Sequence, residues 1–254
     1  MTLRVAALQH DIVWEDPRAN FARLTPWIAA AAAAQARLVV LTEMFSTGFS
    51  MNTAVTAEAP GGPSAEFLAT EAKQHDVWVC GSVAERSEYA DLPSNTLILA
   101  DPEGNLNRYR KIHPFTYSGE HEHFAAGEEF VTIEVEGIRV TPFVCYDLRF
   151  ADEFWATAAR TDCYVIPANW PDTRRHHWIT LLTARAIENQ AYVVGCNRIG
   201  DGGRLHYTGD SRIVDPMGET LAAASQTETL LLADIDAEQV RATREHFPFM
   251  QDRR

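Results

Sequence analysis

The chain has 254 residues, of which 46% are hydrophobic and 22% are charged, as in one large globular domain or two small ones and unlike a disordered or fibrous protein. Asp and Glu number 35 against 22 Lys and Arg, which gives a formal net charge of −13, and an acidic surface repels phosphate groups. We therefore expect neither a nucleic acid nor an anionic membrane as a partner.

The predicted elements begin with an alternation of short aliphatic runs and helical patterns. Their order is a strand at 3–9, a helix at about Arg18–Gln35, a strand at 36–43, a helix at about Ser64–Gln74 and a strand at 77–85. This alternation is typical of an α/β protein.

The middle of the chain predicts two antiparallel hairpins. In the first, an Asp-Pro-x-Gly turn at Asp101–Gly104 separates two strand-like runs, and the second turns around Glu136 and Gly137. Antiparallel strand pairs are therefore mixed with the α/β pattern.

The second half of the chain repeats the alternation of helices and strands. The predicted order is a helix at about Ala151–Arg160, a strand at 162–169, a helix at about Thr173–Asn189, a strand at 191–199 and a second Asp-Pro-x-Gly turn at Asp215–Gly218. No linker separates the halves, so we predict a single domain over residues 1–254. Its predicted fold is a four-layer α-β-β-α sandwich, with two facing mixed sheets between helical layers.

The two ends of the chain carry further expectations. The first residues do not form a secretory signal, and the longest apolar stretch, 27–34, is far shorter than the roughly 20 residues that span a bilayer, so we expect a cytoplasmic protein. The tail at about 237–254 begins as a helical pattern and contains Phe247 and Phe249. Because exposure of these apolar rings to water is unfavourable, we expect the tail to pack on a partner subunit.

The four cysteines are widely spaced and form no CxxC pair, which argues against a zinc cage or a disulfide scaffold. Cys80, Cys163 and Cys196 lie inside apolar runs and are typical of small buried hydrophobes. Cys145 instead ends an apolar run just before a helical pattern, where free N–H groups and the helix dipole would lower its pKa toward the thiolate. From this position alone, a nucleophile and a structural thiol both remain open.

Three charged residues are candidate partners of such a thiol. Glu43 ends an apolar strand and is followed by Met44 and Phe45, so its carboxylate could be enclosed and serve as a base. Lys111 lies in the most basic stretch and would neutralise a developing oxyanion, while Glu120 could pair with it. Taken singly, each of them also fits an ordinary surface residue.

Three segments, LTEMFSTGF at 41–49, RYRKIHPF at 108–115 and FVCYDLRF at 143–150, resemble in this order the Glu, Lys and Cys signatures of the nitrilase or carbon-nitrogen hydrolase superfamily. Further matches that extend the resemblance over nearly the whole chain lie at 167–171, 184–200 and 209–219. Their detail is most similar to the bacterial omega-amidase branch, whose members hydrolyse the terminal amide of 2-oxoglutaramate or 2-oxosuccinamate.

The resemblance implies a role for each matching residue. Cys145 falls on the nucleophile of the family, Glu43 on its general base and Lys111 on its oxyanion-stabilising lysine. Glu120 falls on the second glutamate, and the backbone N–H of Tyr146 on the oxyanion hole. The implied reaction is hydrolysis of an amide through a thioester, with no metal or organic cofactor, in a homodimer or higher homo-oligomer.

An oxo-dicarboxylic monoamide carries one carboxylate, so its pocket needs a local cation. Arg174 and Arg175 are our candidates for that cation, and Trp170 and Phe115 are candidates for the walls of the pocket. We expect the nearby signature residue Arg149 to brace a helix start instead. A related aliphatic amidase or a nitrilase of different specificity is the alternative.

Two further alternatives come from other classes of protein. A metal hydrolase would use the histidines, but the His-Glu-His run at 121–123 lacks the H-E-x-x-H spacing that places two imidazoles on one helical face. The histidines considered are His113, His121, His123, His176 and His177. A noncatalytic scaffold of the same fold would not need Glu43, Lys111 and Cys145 together.

Overall fold

The first β-sheet has six strands. In the computed structural model, which describes residues 2–87 and 90–253, these strands are β1 (Thr2–Gln9), β2 (Leu38–Val40), β3 (Trp78–Ser87), β4 (Ala90–Ala100), β5 (Leu106–Arg110) and β13 (Thr229–Asp236). They lie in the order β13, β1, β2, β3, β4, β5. The pairs β1–β2 and β2–β3 are parallel and the others are antiparallel, so the sheet is mixed.

The second sheet has the same mixed character. Its strands are β6 (Ile133–Val135), β7 (Ile138–Pro142), β8 (Cys163–Ala168), β9 (Tyr192–Asn197), β10 (Ile199–Gly202), β11 (Leu205–Val214) and β12 (Thr220–Ser225). They lie in the order β10, β11, β9, β8, β7, β6, with β12 also paired to β11. The central pairs β7–β8 and β8–β9 are parallel.

The helices follow the strands closely in sequence. They are α1 (Pro17–Ala33), α2 (Thr53–Thr56), α3 (Pro63–His75), α4 (Glu120–His123), α5 (Ala151–Thr157), α6 (Arg175–Asn189) and α7 (Ala237–His246). Short 3-10 turns lie at Thr116–Ser118, Cys145–Arg149, Ala158–Arg160, Asp172–Arg174 and Phe249–Asp252. The predicted boundaries of α1, α3 and α6 are correct to within two residues.

The period-two alternation of the strands sorts their side chains into two cores. In β1, Leu3 and Val5 join a buried cluster that includes strands of the second sheet, whereas Ala6 and Leu8 join the cluster formed with α1 and α3. On the second sheet, Gly195 of β9 leaves room for α6, because a Cβ there would lie 2.5 Å from Leu182. The layers are therefore helix, sheet, sheet and helix, which confirms the predicted sandwich.

The predicted turns are also present. In both Asp-Pro-x-Gly turns the glycine has a positive φ, +81° at Gly104 and +89° at Gly218, and donates its N–H to the carbonyl of the aspartate. Glu136 and Gly137 have φ values of 49° and 84°, as the two-residue turn between β6 and β7 requires.

The tail packs on its own chain. α7 buries Val240, and the Arg244 guanidinium donates to the carbonyls of Ala158 and Thr161. Phe247 remains 58% exposed, so packing of this region on a partner subunit stays a prediction. Arg254, the last residue of the predicted tail, lies outside the described residues.

Within residues 2–87 and 90–253, the helices are all too short or too polar to span a membrane.

His10, at the end of β1, gives the stability of the fold a pH dependence. Burial lowers its pKa to about 4, and its ring nitrogens face the carbonyl of Asp11 at 2.9 Å and the hydroxyl of Thr42 at 3.0 Å. The unfolded chain, with a histidine pKa of about 6.5, binds the proton first as pH falls. Stability present above pH 6.5 is therefore lost toward pH 4, by up to about 3 kcal/mol from this residue.

We expect His10→Gln to flatten this loss. The measurement is urea unfolding of wild type and variant at several pH values between 7.5 and 4.5, with His246→Gln, at an exposed histidine, as the control. Parallel pH curves for wild type and His10→Gln would contradict the assignment.

Candidate active site

Three chain segments bring charged side chains to one end of the sandwich. Because β2 and β5 run in the same direction, the segments that follow them, with Glu43 and Lys111, leave the first sheet at the same end. Cys145 follows β7 of the second sheet, and Glu120 is the first residue of α4.

Lys111 lies between two carboxylates. Its Nζ is 3.0 Å from Oε1 of Glu43 and 2.8 Å from Oε2 of Glu120, and all three side chains are at most 1% exposed. Burial would lower the pKa of Lys111, but Glu120 and Glu43 outweigh this effect and raise it. The ammonium is therefore charged, and the buried cluster carries one cation against two carboxylates.

Asn95, a buried residue of β4, was missed by the sequence analysis. Its Nδ2 donates to Oε1 of Glu43 at 2.8 Å and to Oε1 of Glu120 at 3.1 Å, and its carbonyl accepts the N–H of Lys111 at 2.9 Å. Its own Oδ1 is buried with no hydrogen bond to any residue of 2–87 or 90–253. The donors of Asn95 therefore serve the two carboxylates. The sequence signal was a polar residue before the apolar run of a strand.

Asn169 is a second missed residue, although it lies inside the matching segment 167–171. Its backbone N–H donates to Oε2 of Glu43 at 2.8 Å, and its Nδ2 donates to the carbonyl of Glu43 at 2.7 Å. Glu43 is thus held from both sides. Its Oε1 faces Lys111 and Asn95, and its Oε2 faces the second sheet.

Cys145 sits on a sharp turn. Its φ of +46° is uncommon for a residue with a side chain, and Asp147 holds the turn by accepting the Val144 N–H at 3.0 Å. Asp147 also accepts the Tyr109 hydroxyl at 2.8 Å and the His113 N–H at 2.9 Å. It therefore ties the Cys145 turn to the segment that carries Lys111.

The expectation of a lowered thiol pKa is wrong. Burial and then the Glu43 carboxylate raise the pKa of Cys145 well above its usual value, and Lys111 and the Asn169 N–H oppose them only in part. The physical reason is that burial disfavours the charged thiolate, whereas a 3-10 turn follows Cys145 and α5 begins only at Ala151.

A cleft opens above Cys145. Its walls are largely aromatic: the predicted wall residues Phe115 and Trp170 line it, and so does Tyr146, which the sequence singled out only for its backbone N–H. The other lining residues are Phe49, Ser118, Arg149, Asn169, Pro171, Arg174, Leu205 and Tyr207.

The two predicted carboxylate-binding arginines behave differently. Arg174 lines the cleft, with its guanidinium 5.5 Å from the centre of the Phe115 ring. Arg175 does not line the cleft, because its guanidinium pairs with both oxygens of Asp210 at 2.6 and 2.9 Å. The prediction that Arg175 binds substrate is therefore wrong: its charge is already used to hold α6 to β11.

Arg149, rather than Arg175, lines the cleft together with Arg174. Its guanidinium lies 4.6 Å from the centre of a Trp170 ring and lines the cleft rather than bracing a helix start. Burial lowers its pKa, and so does the neighbouring charge of Arg174. Across the part of the chain that the structure describes, neither guanidinium forms an ion pair with a carboxylate.

The histidines do not form a metal site. Among the described residues there is no group of three His, Cys, Asp or Glu side chains that could hold a metal ion. His113 instead bonds Glu153 at 2.9 Å and stacks on Phe150 with ring centres 3.7 Å apart.

The sequence is similar to those of known proteins over nearly its whole length. The sequence pattern of the family described as carbon-nitrogen hydrolase matches residues 4–245. The chain is 41% identical to the omega-amidase YafV of Yersinia enterocolitica, over 99% of this chain and 96% of that protein. It is 35% identical to a 2-oxoglutaramate amidase of Bacillus subtilis, over 99% and 98% of the two chains.

Solved structures are similar too. The crystal structure of XC1258 from Xanthomonas campestris, a CN-hydrolase superfamily protein with an arsenic adduct in its active site, has a TM-score of 0.94 and 36% identity, over 100% of this chain and 98% of that one. A mutant amidase of Nesterenkonia sp. AN1, with acrylamide added to its active-site cysteine, has a TM-score of 0.85 and 26% identity, over 97% and 98%.

The double hydrogen bond of Asn95 generates a prediction. Asn95→Asp would place a third carboxylate beside one buried cation and remove both bonds, so we expect a loss of about 3 kcal/mol in the free energy of unfolding at pH 7. Urea unfolding measures this loss, and Asn52→Asp, at an exposed asparagine, is the matched control. Equal stability of Asn95→Asp and wild type would show that the carboxylates do not depend on this amide.

Proposed function

Since the chain belongs to the carbon-nitrogen hydrolase family and is a hydrolase that acts on amides, we propose that it is an omega-amidase. In this proposal it hydrolyses the terminal amide of short oxo-dicarboxylic monoamides, such as 2-oxoglutaramate and 2-oxosuccinamate, to the acid and ammonia. The observation that carries the proposal is a cysteine beside a buried Glu–Lys–Glu cluster, at the base of a cleft with two guanidinium groups that lack a carboxylate partner.

The first step forms a bond between sulfur and carbon. Glu43 takes the proton of the Cys145 thiol, and the thiolate attacks the carbonyl carbon of the amide. Transfer of this proton neutralises Glu43, so the Lys111 ammonium then faces one carboxylate instead of two. Its charge becomes available to the oxyanion, which the backbone N–H of Tyr146 also binds.

The second step breaks the bond between carbon and nitrogen. Protonated Glu43 gives its proton to the departing nitrogen, ammonia leaves, and the acyl group stays on Cys145 as a thioester. Glu43 then takes a proton from a water molecule that attacks the thioester, the bond between carbon and sulfur breaks, the acid leaves, and Glu43 returns the proton to the Cys145 sulfur. Glu120 holds Lys111 in place throughout, supported by its 2.8 Å contact with Nζ.

The distal carboxylate of the substrate binds Arg149 and Arg174. The two guanidinium groups repel each other, as the effect of Arg174 on the pKa of Arg149 indicates, and a bound anion between them removes this repulsion. Phe115 and Trp170 flank the two cations at 5.5 and 4.6 Å and enclose the carbon chain of the substrate.

We further propose that the chain is one domain, acts in the cytoplasm and assembles as a homodimer or higher homo-oligomer. The resemblance of its sequence to the family supports the assembly.

The experiment that tests the substrate class is a panel of small ω-amides, neutral aliphatic amides and nitriles, ranked by kcat/KM for ammonia release. We expect 2-oxoglutaramate and 2-oxosuccinamate to rank first. A neutral amide or a nitrile in first place would replace the omega-amidase proposal with the aliphatic amidase or nitrilase alternative.

The nucleophile is tested separately. Cys145→Ala removes the only sulfur proposed to attack, so we expect ammonia release to fall by about 10⁴-fold or more. Cys163→Ala, at a fully buried thiol of β8, is the matched control and keeps the activity. Comparable rates for Cys145→Ala and wild type would remove the cysteine mechanism.

The two cleft arginines are tested by substrate charge. Arg149→Gln and Arg174→Gln should each raise the KM for 2-oxoglutaramate by roughly tenfold or more, because each removes a charge-assisted hydrogen bond to the carboxylate, and should change neutral amides much less. Arg175→Gln is the control, since that side chain is bound to Asp210. An effect of Arg175→Gln equal to the other two would contradict the assignment.

A further inference from the structure

Tyr207 is a nearly buried tyrosine of β11. The side chain is 4% exposed and lines the cleft, yet its hydroxyl forms no hydrogen bond with any residue of 2–87 or 90–253. A tyrosine so nearly buried usually finds a partner for its hydroxyl. The free hydroxyl therefore points to a ligand in the cleft.

The Tyr207 ring is held in position by its contact with Arg198. The guanidinium of Arg198 lies 4.7 Å from the ring centre and is itself only 1% exposed. Arg198 is anchored in turn by Asp11 at 2.7 Å and by the carbonyl of Asp201 at 3.0 Å. Gly202 leaves the space that both groups need, because a Cβ there would lie 2.8 Å from Arg198. The ring is thus set before any substrate binds.

Tyr207 lines the same cleft as Cys145, Arg149 and Arg174. Burial raises its pKa to about 12, Arg198 opposes this, Cys145 and Glu43 raise it further, and Arg174 lowers it. Both Cys145 and Arg174 are therefore within electrostatic reach of the phenol. At neutral pH the hydroxyl is protonated and available as a donor.

The other neutral donors of the cleft are already used. The indole N–H of Trp170 donates to the carbonyl of Arg174 at 2.8 Å, and the Ser118 hydroxyl donates to the carbonyl of Phe115 at 3.0 Å. The amide of Asn169 is bound to Glu43. Among the lining residues, this leaves the hydroxyls of Tyr207 and of the more exposed Tyr146.

We propose that the Tyr207 hydroxyl donates a hydrogen bond to the 2-oxo oxygen of the substrate and makes the enzyme prefer 2-oxo monoamides to monoamides without that group. This inference rests on the proposed function. With the scissile amide at Cys145 and the carboxylate at Arg149 and Arg174, the oxo group is the one acceptor of the substrate that lies between the two ends. Tyr207 is then a specificity-determining residue, and Arg198 positions it.

The test compares two residues on two substrates. The kcat/KM of wild type, Tyr207→Phe and Tyr146→Phe is measured on 2-oxoglutaramate and on glutarate monoamide, which has a methylene in place of the oxo group. Tyr207→Phe keeps the ring on Arg198 and removes only the hydroxyl. We expect it to lose about tenfold on 2-oxoglutaramate, the effect of one hydrogen bond, and less than twofold on glutarate monoamide.

Each other outcome has a defined meaning. Equal losses of Tyr207→Phe on both substrates, or a selective loss in Tyr146→Phe instead, would overturn the assignment and leave the amidase proposal intact. A wild type that cleaves neither monoamide but cleaves other amides would remove the omega-amidase proposal and this inference with it. Tyr117→Phe, at a side chain that is 86% exposed, controls for the substitution itself and should change neither substrate.

Discussion

The site depends on one buried ammonium group that is shared by two carboxylates. Burial alone would lower the pKa of Lys111, and the neighbouring carboxylates of Glu120 and Glu43 outweigh this effect. The ammonium is stable because both carboxylates lie beside it. This arrangement requires that the segments after β2 and β5 and the start of α4 keep a fixed relation, and the first sheet provides it.

The polar residues around this cluster fix its orientation. Asn95 donates to both carboxylates, Asn169 holds Glu43 from the other side, and Asp147 connects the Cys145 turn to the segment of Lys111. In a low-dielectric interior each such bond is strong, and each unpaired group would be costly. The result is a set of side chains whose orientations are fixed before substrate arrives, which is what electrostatic stabilisation of an oxyanion requires.

Much of this arrangement could be predicted from the sequence, and the reasons differ from part to part. Local patterns predicted the helices and the hairpin turns. The periodicity of a helix such as α3, and the positive φ of a turn glycine such as Gly104, are set by residues that are close in sequence. The contacts among Glu43, Lys111 and Glu120 join distant segments, and only the resemblance to a family placed them together. Arg149 and Arg175 were exchanged in our expectation because partner choice is a tertiary property: Asp210, which is 35 residues from Arg175, pairs with Arg175, whereas no carboxylate of the described residues pairs with Arg149.

The amides of Asn95 and Asn169 were missed for a related reason. A buried asparagine looks the same in sequence whether its side chain bonds the backbone of a loop or a buried carboxylate, and the side chain of Asn20, for example, bonds the backbone of Val13 and Ser46. The raised pKa of Cys145 could not be predicted either, since it follows from the balance of burial and Glu43 against Lys111 rather than from the position of the residue before a helix.

That balance bears on how the protein survives between turnovers. Peroxides and soft electrophiles attack thiolates far faster than thiols, and burial and the Glu43 carboxylate, which both raise the pKa of Cys145, favour the less reactive thiol. Resistance of this sulfur to oxidation is thus a consequence of where the fold places it.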